Sequence, residues 1–298
     1  MQIAPDISVS SFLSIPKGCL PNYIFVCLGE IGSLYHKILS FGDEVFPSFY
    51  VHDDPQETSG IHINNIQDLY TEISDLTTNK SQILICSDAS NKYLKSIISG
   101  IVFNDKHNAL SNINICSKSN ISVLCIYTNK KDLFHIATLA HSGIVNTVFA
   151  EKQNTEDVQL SVYKTITTYK NYLSLSNQAN FSTSPKYGAV DKLYKSPIVK
   201  SDVIQFEEFS PQDLIEKAVV LSISKISNDI NIKNIVALVK FPQSFKESTD
   251  INGSTFLLGV STTLKHSGFS QYTQAVCYSE DLNQPQIFIF CGGSLKAK

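Results

Sequence analysis

Gly29 and Gly32 stand three residues apart, directly after the apolar run 24–28 (IFVCL) and directly before 34–39 (LYHKIL), whose period is helical. A glycine turn between a strand and a helix can present backbone N–H groups to a phosphate. The first N–H groups of the helix have no intrahelical partner, and the helix dipole favours an anion there. Ser33 can cap the helix in the same turn. The same spacing also serves an ordinary βα turn in which one residue takes a left-handed backbone. The residues alone leave both readings open.

Other reactive side chains lack partners at useful spacing. His52-Asp53-Asp54 follow the second apolar run, where a carboxylate either contacts a ribose or faces solvent in a turn. His135 and His141 are six residues apart and do not share a helix face, and His107 and His266 lie in polar stretches, so no metal site is expected. There is no GxSxG, GxxxxGK[ST] or HExxH, and no recognisable Cys–His pairing. Cys19, Cys27, Cys86, Cys116, Cys125, Cys277 and Cys291 include no CxxC pair. Five of them, Cys27, Cys86, Cys125, Cys277 and Cys291, lie in or beside apolar runs and read as reduced core residues of a cytosolic protein. Lys130-Lys131, at the end of a strand-like run, suit either an anion or a solvated surface.

The composition narrows the chemistry further. With 298 residues, 43% of them hydrophobic, the chain can build one large or two ordinary cores. A net charge of −3 gives no reason to expect nucleic acid as a partner. All 24 basic residues are lysine, which removes bidentate guanidinium clamps and any arginine finger from this chain. The abundance of Lys, Asn, Ile and Ser fits an AT-rich genome. Residues 1–20 lack a basic start with a long apolar core, and no run approaches the ~18–20 apolar residues of a membrane span. A cytoplasmic protein without a membrane span is expected.

These side chains need elements to hold them. Strand patterns at 24–28, 45–52, 82–86, 121–127 and 143–150 alternate with helical patterns at 33–40, 66–76, 91–103 and 133–141. Short β-rich runs between helices predict a doubly wound parallel sheet with its ligand beyond the C-terminal strand ends. The turns after Leu28, Cys86 and Tyr127 lie on that edge. Val158, Val162, Ile166, Tyr169, Tyr172 and Leu173 recur at three- and four-residue steps and predict a long helix over 155–175. Residues 176–200 turn polar, with Pro185, Gly188 and Pro197, and read as a connecting region. Then come a strand at 203–209 and a helix capped by Ser210, with Pro211 at its first position, running to about Ser224. Strands follow at 235–241, 255–261, 274–279 and 286–291. The expected organisation is an N-terminal α/β domain over 1–154, a central helix and linker over 155–200, and a smaller α/β domain with a mixed or antiparallel sheet over 201–298.

This order resembles the FtsZ/tubulin superfamily. Residues 213–230 (DLIEKAVVLSISKISNDI) resemble the FtsZ helix that ends in small residues before a DIDL-like turn, here Asn228-Asp229-Ile230-Asn231-Ile232. Residues 236–240 take the place of the family's next strand. Residues 257–261 (LLGVS) resemble its VIGTS-like strand, and 287–293 (IFIFCGG) its closing VTVIATG-like strand. The likeness spans most of the chain in topology and about 213–293 in wording. It implies an FtsZ/tubulin-like α/β fold with a doubly wound parallel-sheet domain, a long central helix and a smaller mixed-sheet domain. It also implies GTP as the ligand, with Gly29, Gly32, Ser33, Ser87, Ser90 and Asn91 at the matching phosphate turns. The implied partner is a second copy or an FtsZ/tubulin-like filament protein.

The chain departs from the family where phosphate chemistry is done. The GGGTGTG signature follows the strand that here is 82–86, and in its place stand Ser87-Asp88-Ala89-Ser90-Asn91-Lys92. The family's glycines let the backbone fold an N–H cradle around phosphates, whereas residues with Cβ atoms resist positive φ. Asp88 would bring a like charge to a triphosphate, costing about 1 kcal/mol at ~4 Å even when well screened. Ser87, Ser90 and Asn91 can still cap a helix and donate hydrogen bonds. The acidic NxDxxD loop after the central helix has no counterpart at 177–200, where Asn180 and Asp191 lack the spacing, so no catalytic residue is assigned. The expected function is that of a self-assembling or filament-binding structural protein without efficient GTP hydrolysis. The alternatives are an active but atypical GTPase of the same family and an unrelated two-domain α/β enzyme or small-molecule-binding protein.

Overall fold

The first strand, β1 (Tyr23–Leu28), is apolar from end to end because both of its faces are covered. Phe25 and Cys27 enter the core on one side of the sheet, and Ile24, Val26 and Leu28 enter the core on the other. We describe a computed structural model over residues 23–40, 48–53, 56–57, 59–62, 82–92, 94, 121–141, 145–153, 157–175, 186–207, 210–247, 251–269 and 271–296. After β1 come α1 (Gly29–Ser40), β2 (Ser48–His52), β3 (Ile61–His62), β4 (Gln82–Asp88), β5 (Ile121–Tyr127), α2 (Lys130–His141) and β6 (Val148–Lys152). The chain continues through α3 (Val158–Ser174), α4 (Lys186–Tyr194), β7 (Ile198–Gln205), α5 (Gln212–Ser227) and β8 (Ile230–Pro242). It ends with α6 (Ser244–Glu247), α7 (Ile251–His266), β9 (Tyr272–Ser279) and β10 (Gln286–Leu295). The helix expected over 66–76 lies outside the described residues, as do 95–103 of the one expected over 91–103.

All ten strands join one sheet in the order β3-β2-β1-β4-β5-β6-β7-β10-β8-β9. From β3 to β7 every pairing is parallel, as a doubly wound sheet requires. β10 is antiparallel to β7 and β8, and β8 is parallel to β9, which makes the C-terminal region mixed. The order reverses between β1 and β4, so that is the topological switch point. β6 and β7 share two paired residues, Val148↔Ile198 and Phe149↔Val199. β7 and β10 share eight. β10 shifts register against β8 at Gly292/Gly293, where a side chain on Gly293 would collide with the Asn231 carbonyl.

One core runs along a whole face of this sheet. It takes Tyr35 and Leu39 from α1, Val162, Ile166, Tyr169 and Tyr172 from α3, and Ala189, Val190 and Leu193 from α4. α3 is the expected central helix, its first turn fixed by the Asp157 carboxylate accepting from Leu160 N at 2.8 Å. Tyr172 on α3 meets Phe149 of β6 at 5.4 Å, Tyr194 of α4 at 4.9 Å and Phe290 of β10 at 5.9 Å, so one ring touches both the parallel and the mixed strands. α2 covers the opposite face over β5 and β6, and α5 and α7 cover that of the C-terminal strands. Among the described residues no helix is long and apolar enough to cross a membrane.

Three expectations need correction. Residues 255–261 are not a strand but the middle of α7. Phe256, Val260, Thr263 and Leu264 are buried at helical spacing, Leu258 is 54% exposed, and the short window TFLLGVS hides that period. The connecting region 176–200 contains α4, and β7 begins at Ile198 rather than 203. Polar Lys200 and Ser201 break the apolar pattern of that strand although both are buried. Ser210 does not cap α5: Pro211 is the N-cap, without a side-chain hydrogen bond, and Ser210 Oγ donates to Glu207 O at 3.0 Å.

Candidate functional site

The βα turns after β1 and β4 meet at the switch point. Gly29 opens α1 with φ +69°, a left-handed backbone that favours glycine. A Cβ there would stand 2.6 Å from Asn91 Nδ2. Gly32 has another role: a Cβ on it would lie 2.5 Å from the Cys27 carbonyl carbon, so its bareness lets α1 lie close against β1. Ser33 Oγ donates to Glu30 O at 2.8 Å within the first turn.

From the β4 side, buried Ser87 donates its hydroxyl to Leu28 O at 3.3 Å, and Asn91 Nδ2 donates to the same oxygen at 3.4 Å. Asn91 Oδ1 accepts from Leu94 N at 3.1 Å and starts the helix that follows β4. Ser90 donates its backbone N–H to Asp88 Oδ1 at 2.7 Å and its hydroxyl to the same oxygen. The fold thus brings Gly29, Ser87, Ser90 and Asn91 to one spot, leaves Ser33 in its own helical turn, and gives Gly32 to helix–strand packing.

Beside this spot, a cleft of about 210 Å³ opens over the C-terminal ends of β4, β5 and β6. Ile31, Asp88, Ser90, Tyr127, Thr128, Asp132 and Gln153 line it. Two carboxylates on its wall repel phosphate and favour hydroxyl donors or cations. A nucleotide's phosphates therefore do not fit the residues present. The crevice between β1 and β4 holds Asn91, and the neighbouring cleft carries Asp88 and Asp132.

A second polar cluster begins at Tyr127 on the cleft wall and is not visible in the sequence. Tyr127 Oη donates to Asp229 Oδ2 at 2.8 Å, from the end of β5 to the turn between α5 and β8. Lys200 of β7, its side chain 6% exposed, donates to both, at 2.5 Å each. Lys130, at the start of α2, donates to Asn228 O at 2.9 Å and lies 3.6 Å from Asp229 Oδ1. Burial pushes the Asp229 carboxyl up, but the Lys200 hydrogen bond and charge, Tyr127 and Lys130 outweigh it and hold the group below its usual value. Burial, then the bond to Asp229, raises the Tyr127 hydroxyl far above its usual value. Next to this cluster, Glu151 of β6 accepts from both the N–H and the hydroxyl of Ser201. Burial pushes its carboxyl up to about 7, against the pull of Ser201, Lys200 and Lys164. Lys200 and Ser201, buried in a strand that begins and continues with apolar residues, are the available signal, since buried polar groups need partners. The partners themselves come from distant regions of the chain.

The remaining candidates fall away from this edge or into structural roles. His52 is buried and packs its ring against Tyr50 and His62 at 5.3 and 5.6 Å. Asp53 pairs with Lys92 at 2.6 Å on the surface. Cys27, Cys86, Cys125 and Cys291 are buried free thiols, and burial raises Cys86, Cys125 and Cys291 well above the ordinary thiol range. Cys19 and Cys116 lie outside the described residues. No three His, Cys, Asp or Glu side chains among the described residues are placed to hold a metal ion.

No protein-family model matches the sequence, and no curated protein sequence matches it. Solved structures do match. A TubZ of type III plasmid segregation superposes with a TM-score of 0.63 at 12% identity, over 97% of this chain and 90% of that one. TubZ of Bacillus thuringiensis serovar israelensis, solved as a GTPγS-form protofilament, gives 0.62 at 11% identity, over 93% and 88%. An FtsZ mutant of M. jannaschii gives 0.58 at 10% identity, over 93% and 96%. The fold is FtsZ/tubulin-like. Within this FtsZ/tubulin-like fold, the side chains of Ser87 and Asn91 reach across the switch point between β1 and β4.

Proposed function

We propose that the protein is a structural, FtsZ/tubulin-like element that assembles with itself or with a filament-forming protein of the same fold, without efficient GTP hydrolysis. The observation that carries this reading is the extent of the likeness: 93% of the chain superposes on a TubZ solved as a protofilament. An N-terminal unit over 1–154, a link over 155–200 and a C-terminal unit over 201–298 belong to the same reading. Absence of hydrolysis is supported by the carboxylates of Asp88 and Asp132 on the cleft and by the lack of any arginine to stabilise a transferring phosphoryl group.

Light scattering, sedimentation and electron microscopy over rising protein concentration, with and without GTP, test the proposal together with a phosphate-release assay. Assemblies are expected, with phosphate release at background. A chain that stays monomeric under every condition ends the self-assembly reading and leaves only assembly with a filament-forming partner, which co-pelleting with such a protein tests. Sustained GTP-dependent phosphate release would favour the atypical GTPase instead, a second reading supported by the left-handed Gly29 turn at the switch point.

A further inference from the structure

The crevice at a topological switch point is where an open α/β sheet takes its ligand. In this protein the chain's own side chains span it. Asn91 Nδ2 and Ser87 Oγ reach across from β4 to the last carbonyl of β1, at 3.4 and 3.3 Å. The Asn91 carboxamide takes the space that bare Gly29 leaves open. In the turn after β4, the N–H groups that would greet an anion have internal acceptors. Ser90 N donates to Asp88 Oδ1 at 2.7 Å, Asn91 N to Asp88 O at 3.3 Å, and Leu94 N to Asn91 Oδ1 at 3.1 Å. Ala89 N donates to Ile126 O at 2.9 Å.

We infer that Asp88 and Asn91 are a built-in substitute for a ligand's phosphate, closing the switch-point crevice to nucleoside di- and triphosphates. This deepens the FtsZ/tubulin-like reading and rests on it. The Asp88 carboxylate and the Asn91 carbonyl accept what phosphate oxygens would accept. The Asn91 amide bridges to β1, and the fixed charge of Asp88 repels an incoming anion. Assembly of this protein consequently needs no nucleotide. The closure resides in side chains, since Gly29 still holds its left-handed turn at φ +69°.

The test titrates the purified 298-residue chain with GTP and GDP carrying a fluorescent ribose label. The wild type is expected to show no saturable binding up to about 1 mM. The double variant Asp88→Gly with Asn91→Gly is expected to bind at least about tenfold more probe at that concentration. Asp88→Asn keeps an acceptor oxygen but removes the charge, and is expected to gain about threefold. Circular dichroism and a thermal melt establish that each variant is folded. If the double variant does not fold, Asp88→Asn decides. Saturable wild-type binding below about 1 mM overturns the inference, and so does a folded set of variants with no gain. Pelleting of the wild type without nucleotide is scored separately. A monomeric wild type ends the self-assembly reading without touching the crevice, and tight wild-type binding ends the closed crevice without touching assembly.

Discussion

Lys200 is a cation on a strand with a nearly sealed side chain, and it is tolerable there because Asp229 and Tyr127 both receive its hydrogens. Removing one partner of such a pair leaves an uncompensated buried charge, which costs more than removing both. Asp229→Asn is therefore expected to lose about 3 kcal/mol in urea denaturation, and Lys200→Met combined with Asp229→Asn to lose less. With Lys200→Met alone completing the cycle, a double loss equal to the sum of the two single losses would show that the charge pair carries no coupling. Glu151 gives a pH signature of definite sign. Its carboxyl is raised from 4.5 to about 7 in the folded chain, so the folded state binds the extra proton. Its contribution is complete below about pH 4.5 and is lost as the pH rises through about 7, a loss on the order of 2–3 kcal/mol. Urea midpoints from pH 4.5 to about 8 should fall over that window in the wild type, and Glu151→Gln should flatten the fall. A Glu151→Gln profile parallel to wild type would assign the slope to other groups.

Helix α7 offers a test of its own that a strand would answer differently. In a strand, Leu258 and Val260 would share a face; in α7 they point roughly 200° apart, from about 100° per residue. Leu258→Asp is expected to change stability by less than about 0.5 kcal/mol, while Val260→Asp, at a fully buried position, is expected to lose more than about 3 kcal/mol. Similar losses at both would contradict the helix. The contrast explains which elements are legible in the sequence. β1, β4 and β5 are apolar on both faces and can be read locally, as can α3, whose apolar residues keep a helical step along its length. The start of β7 is hidden because Lys200 and Ser201 find partners on β5, on β6 and before β8, and no local pattern announces such pairs. Gly29 and Asn91 are both candidates by residue type, but their contact is not legible, because it joins turns far apart in the chain through the parallel β1–β4 pairing. The wording of 257–261 misleads for a plain reason: a short run of small and apolar residues fits a buried strand and a buried helix equally well.

The core shared by α1, α3, α4 and strands from β1 to β10 ties the described residues into one cooperative unit. Calorimetry should show a single transition, and Tyr172→Ala, which empties the ring between Phe149, Tyr194 and Phe290, should lower stability by about 3–5 kcal/mol without splitting that transition. Two resolved transitions would mean that the C-terminal strands melt alone. The sheet is nonetheless not equally strong along its width. β6 and β7 hold each other through two paired residues, and past Phe149 and Val199 the join is continued by side chains, Glu151 to Ser201 and Lys200 to Tyr127 and Asp229. In the assembly proposed above, load across the sheet would fall first on that seam. Tension across the sheet would break this short backbone pairing and a handful of charged contacts before it sheared the eight-residue ladder between β7 and β10. Because burial pushes the Glu151 carboxyl up to about 7, the force needed to part that seam should fall as the pH rises through neutrality.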